Sequence, residues 1–161
     1  MSKKIVENII LMQYHWEELE VADKALISKA KKALEHAYAP YSHFQVGAAV
    51  LLENGTFLTG NNQENASFPT GICAERVVLS YANANYPETR PLKIAIAAKA
   101  KNSRNHQTIF PCGICRQTIA EVEQKFKFPI KILLLCDNEE VLIAEGIDQL
   151  LPFKFSDFIA R

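Results

Sequence analysis

The pattern of apolar and polar positions divides the chain into eight elements. Residues 22–38, "ADKALISKAKKALEHAY", carry Leu26, Ile27, Ala30, Ala33 and Leu34 at steps of three and four, with lysines on the opposite side. That spacing predicts an amphipathic helix, which Pro40 ends. Two short runs follow, "FQVGAAVLL" (44–52) and "TFLTGN" (56–61), with Glu53, Asn54 and Gly55 between them. Two β-prone runs around a glycine-containing turn predict a hairpin. From Cys73, helical spacing returns through Ala74, Val77, Val78 and Tyr81, and Pro87 marks its exit. "KIAIAAKA" (93–100) is a buried strand. A third helix begins near Cys112 and runs to about Phe126, with Ile114, Ile119, Val122 and Phe126 apolar. "IKILLLC" (130–136) and "EVLIAE" (140–145) are two more strands, and "IDQLLPFKFSDFIA" (147–160) reads as a helical turn and a tail. Residues 1–20 have no regular period and no assigned element.

The order helix, strand, strand, helix, strand, helix, strand, strand predicts an α/β fold with one mixed five-stranded sheet and helices on its faces. The two middle helices would be right-handed crossovers between parallel strands. A chain of 161 residues is long enough for one domain with a real core, and residues 1–161 are read as one domain with an N-terminal extension over 1–21.

Composition narrows the function classes. Eighteen basic and eighteen acidic residues cancel, which argues against nucleic acid held by counterion release. No stretch approaches the roughly 18 apolar residues of a membrane span. The start, "MSKKIVENIILMQYHWEELE", has its apolar run interrupted by Glu7 and Asn8 and does not read as an export signal. The expected location is therefore the cytoplasm, where thiols stay reduced. Cys73, Cys112, Cys115 and Cys136 are expected to be metal ligands, catalytic groups or buried thiols rather than disulfides.

Three of these cysteines fall at helix starts. Cys73 opens one helix with Glu75 two residues on; Cys112 and Cys115 open the next, after Pro111. Free backbone N–H groups and the positive end of the helix dipole stabilise a thiolate there. Two crossover helices that start at the same end of a sheet would bring the three cysteines together. Three thiolates around Zn²⁺ leave a fourth tetrahedral position open, as in a catalytic site. Cys-x-Glu followed by Pro-Cys-x-x-Cys is the pattern of a hydrolytic zinc deaminase, the glutamate serving as general acid/base. Cys-x-x-Cys alone also fits a structural zinc half-site or a redox pair. A structural site wants four ligands, for which Cys136, otherwise a core thiol, is the available fourth. The histidines 15, 36, 43 and 106 form no ligand spacing.

"APYSHFQVGAAVLL", "TGNNQENASFPTGICAERVV", "PCGICRQ" and "LLPFKF" together resemble the cytidine deaminases, small zinc enzymes that convert cytidine and deoxycytidine to uridine and deoxyuridine in pyrimidine salvage. The resemblance implies a three-layer α/β/α fold, one Zn²⁺ per chain on Cys73, Cys112 and Cys115, and Glu75 as the catalytic acid/base. It further implies that Phe44 packs on the base, that the Ala74 backbone binds it, and that Asn62 and Glu64 hold the ribose 3′-hydroxyl. A carboxylate there suits a hydroxyl donor and repels a phosphate, which favours a free nucleoside. Arg76 would donate to the thiolates and reduce their negative charge. The short enzymes of this family are homotetramers with shared sites, and Phe155 matches the aromatic that reaches a neighbouring subunit. Phe68 stands where relatives often carry a tyrosine with the same reach, and Phe110 where a small polar residue is common.

Overall fold

The structure, a computed structural model, describes residues 2–156. One sheet of six strands runs through it in the order β1 (Met12–His15), β6 (Glu140–Ala144), β5 (Lys131–Leu135), β4 (Pro91–Ala100), β2 (Phe44–Leu52) and β3 (Phe57–Asn61). Strands β4 and β5 pair in parallel, and every other neighbouring pair is antiparallel. Helix α1 (Val21–Leu34) covers one face, and α2 (Ala74–Asn85) and α3 (Gly113–Phe126) cover the other. The pleat explains the two cores. Ile94, Ile96, Ile132 and Leu134 pack with Val78, Leu79 and Ile119, whereas Ala95, Ala97, Leu133 and Leu135 pack with Leu26, Ile27, Ala30 and Leu34. Strands covered on both faces read as continuous apolar runs.

The sheet has six strands, not the five expected. The additional strand lies within residues 1–20, where the apolar pattern predicts no element. Its residues Met12, Gln13, Tyr14 and His15 pair with Ile143, Leu142, Val141 and Glu140 at the edge of the sheet. Only Tyr14 is even half-buried, so the segment shows no burial period. Helix α1 also stops at Leu34, short of residue 38. The chain leaves the helix so that Tyr38 can exchange backbone hydrogen bonds with Asn62 and Glu64. The C-terminal turn is a 3-10 turn over Ile147–Gln149, and the expected tail beyond Ser156 lies outside the described residues.

Two glycines set how closely the helices approach. A Cβ at Gly47 on β2 would lie 2.1 Å from the Ala30 carbonyl oxygen and 2.4 Å from the Leu34 nitrogen of α1. A Cβ at Gly60 on β3 would lie 2.9 Å from the Val78 nitrogen of α2. The atoms at Gly47 are helix backbone and cannot rotate away. Gly47→Ala is therefore expected to cost at least about 3 kcal/mol, the upper end for overpacking. Denaturant midpoints measure this, and wild-type stability in the variant would contradict the close approach.

Candidate active site

Strands β3 and β4 both run antiparallel to β2, so they are parallel to each other. The helices after them consequently start at the same end of the sheet. Cys73 is the N-cap of α2 and Cys112 the N-cap of α3, both with extended backbone, and Cys115 lies in the first turn of α3. The sulfurs converge: Cys73 Sγ is 4.0 Å from Cys112 Sγ, Cys112 Sγ is 3.5 Å from Cys115 Sγ, and all three lie within 4.8 Å of one another. Tetrahedral Zn–S bonds of about 2.3 Å place sulfurs about 3.8 Å apart. The three thiols fit one zinc ion. Cys136 is outside the cluster: it is buried, and its thiol donates to the Leu134 carbonyl.

The electrostatics point the same way. The hydrogen bond with Cys115 is the largest influence on Cys73 and pushes its thiol down to about 6, against burial and the Glu75 charge, with Cys112 and Arg76 adding to the lowering. The same bond, then burial and the Glu75 charge, push Cys115 up. Thiols this close cannot all ionise unaided. A divalent cation among them removes the conflict and deprotonates them outright. Glu75, only 3% exposed, sits beside the cluster. Burial pushes its carboxyl up, although its own backbone N–H and the Cys115 thiol partly offset this. A carboxyl raised in this way accepts a proton more readily than a free one, as a general acid/base must.

The residues expected to hold a sugar are positioned by backbone pairing. Gln63 bridges Tyr38 on one side and Ile72 on the other, which sets "NNQEN" against the start of α2. Asn62 Oδ1 accepts from the Val46 N–H at 2.8 Å and Nδ2 donates to the Phe44 carbonyl at 2.9 Å. The amide thus grips β2 on both sides of Gln45 and retains one N–H for a ligand. Glu64 Oε2 accepts from the N–H groups of Tyr41 and Ser42 at 2.9 and 3.3 Å. The Ser42 hydroxyl and these N–H groups, against burial, hold the carboxyl below its usual range. A hollow of ≈ 410 Å³ is lined by Tyr41, Ser42, Glu64, Asn65, Phe68 and Gly71.

Ala74, at the first residue of α2, is fully buried, and Phe44 is half-buried at the start of β2. Arg76 is half-buried beside Cys73. Phe68 and Phe155 are 74% and 67% exposed, and Phe68 makes an edge contact with Tyr41. Phe110 is exposed ahead of Pro111. One site residue escaped sequence reasoning. Arg116 Nε donates to the Pro111 carbonyl and Nη1 to the Leu150 carbonyl, each at 2.7 Å. Its position next to Cys115 is a hint, but its partners are backbone groups that no motif specifies.

Fold and site together define a zinc-binding deaminase domain. The family model for the cytidine and deoxycytidylate deaminase zinc-binding region matches residues 20–128, and the chain belongs to this family. It is 40% identical over 133 residues to a cytidine deaminase of Sporosarcina psychrophila, covering 81% of this chain and 89% of that one. It is 47% identical over 97 residues to the cytidine deaminase of Halalkalibacterium halodurans, covering 60% and 69%. The crystal structure of cytidine deaminase from Burkholderia pseudomallei superposes with a TM-score of 0.68 at 36% identity, covering 81% of this chain and 97% of that one.

Proposed function

We propose that the protein hydrolyses the C4 amino group of cytidine and deoxycytidine, taking up water and releasing ammonia with uridine or deoxyuridine. The observation that carries this reading is the meeting of three thiols and the buried Glu75 at the starts of α2 and α3. Zinc held by Cys73, Cys112 and Cys115 would supply water acidified toward neutral pH. Glu75 takes a proton from that water and delivers it to N3 of the pyrimidine. The water oxygen bonds to C4, Glu75 takes the remaining proton from the new hydroxyl and gives it to the amino nitrogen, and the C4–N bond breaks to release ammonia and leave the C4 carbonyl. The raised carboxyl suits a group that must both accept and give a proton.

The other residues bind and orient. Phe44 packs on the base, the Ala74 backbone holds its polar edge, and Asn62 and Glu64 take the 3′-hydroxyl. Arg76 reduces the negative charge on the thiolates, in keeping with its lowering effect on Cys73. An ionised Glu64 repels a phosphate, so the substrate is a nucleoside. We further infer one domain, a cytoplasmic role in pyrimidine salvage, and a homotetramer with shared sites. The exposed Phe68, Ile114 and Phe155 suit surfaces that a second copy covers. No helix among the described residues is long and apolar enough to cross a membrane.

The first test is turnover of cytidine by the purified protein, followed as loss of ultraviolet absorbance, with zinc measured on the same sample. Turnover with about one zinc per chain is the expected result. Zinc without turnover of cytidine or deoxycytidine would move the assignment to another aminated pyrimidine.

A further inference from the structure

Arg116 joins the Pro111–Cys112 loop to the C-terminal segment at Leu150. Cys112 is exposed, and most of the loop before it is exposed as well. Its sulfur nonetheless lies 3.5 Å from that of Cys115 and 4.0 Å from that of Cys73. The Arg116 N–H holds the Cys112 carbonyl at 2.9 Å. Ahead of it, Pro111 has no N–H, so its carbonyl is its one polar backbone group. The Arg116 guanidinium takes that carbonyl with Nε and the Leu150 carbonyl with Nη1. Leu150 opens the segment that leads to Phe155, and Gln117 Nε2 donates to the Phe155 carbonyl at 2.8 Å. Upstream, Glu123 independently holds the Ile147 N–H at 2.9 Å and the Ile147 carbonyl holds the Leu150 and Leu151 N–H groups, so loss of Arg116 loosens chiefly the residues beyond Leu151.

We propose that Arg116 is a positioning residue that locks the Pro111–Cys112 loop to the C-terminal segment from Leu150 onward, so that loosening either loosens the other. The planar guanidinium presents two donors at fixed spacing, which a lysine ammonium does not. Because the coupling is reciprocal, order in the C-terminal segment also holds the metal loop. The proposal rests on zinc occupying the cysteine cluster.

The test uses zinc-loaded full-length protein and two readouts. One is the rate of zinc transfer to an excess of a chromogenic chelator. The other is amide hydrogen exchange over residues 150–156, compared with β4 and β5. R116A is expected to release zinc about tenfold faster, with faster exchange over 150–156 and unchanged exchange in β4 and β5. R116K keeps one tie and falls between. Q117A loosens the segment only at Phe155, beyond the intact Leu150 tie, and is expected to speed zinc release less than R116A. Zinc release from R116A at the wild-type rate overturns the proposal, as does faster release accompanied by equally faster exchange in the central strands. If R116A does not fold, R116K decides: faster release supports the lock and wild-type release overturns it. Wild-type protein without about one zinc per chain overturns the deaminase reading and this proposal together. Full zinc with unchanged release in the variants overturns this proposal alone.

Discussion

Glu75→Gln is expected to leave a folded, zinc-loaded protein whose cytidine turnover falls by about 10⁴-fold, the upper end for loss of one general acid/base. The upper end applies because the same carboxylate is asked to move several protons. Glutamine keeps the shape of the side chain and is less costly than a carboxylate to bury at a position 3% exposed, so stability should hold. Zinc should hold too. The Glu75 charge opposes ionisation of Cys73 and Cys115, and its removal favours the thiolates that bind metal. Turnover, zinc content and circular dichroism on one sample check all three statements. Turnover within tenfold of wild type would remove Glu75 from the acid/base role.

Cys112→Ala should reduce zinc from about one per chain to near zero, abolish turnover and lower the melting temperature. Cys112 is exposed, so truncating it leaves no cavity, and any large loss of stability must come through the metal. Cys136→Ala is the contrasting variant. Its thiol is buried and bonded to Leu134, so it should lose some packing energy and keep its zinc. Metal analysis and thermal melts with and without a chelator separate the two. Full zinc in Cys112→Ala would take Cys112 out of the ligand set.

The site was legible where its signals were local. Cys73 with Glu75 and Cys112 with Cys115 could be placed at helix starts because helical spacing begins at each pair. Cys136 could be read as a core thiol because it ends an apolar run. The residues expected to hold the sugar were named through resemblance, since "NNQEN" after a strand reads equally as a turn. Their geometry depends on Tyr38, Gln63 and Ile72 pairing across three separate segments. β1 and Arg116 were not legible for a shared reason. Each is fixed by backbone groups remote in sequence, Val141 to Ile143 for the strand and Leu150 for the arginine. Any residue supplies such groups, so they leave no mark in composition or period.

By itself the sequence determined the three helices and five of the six strands, because burying one face of an element imposes a period on its own residues. It also determined the reactive inventory of three helix-start thiols and one carboxylate. Tertiary structure decided where these groups meet. Strands β3 and β4 lie parallel on either side of β2, and that arrangement brings the starts of α2 and α3 to one end of the sheet. Tertiary structure also decided that β1 closes the sheet edge, that α1 ends at Leu34, and that Arg116 spans from the cysteine loop to Leu150. Strand pairing and side-chain-to-backbone bonds depend on the positions of distant segments, and those positions exist only once the chain has folded.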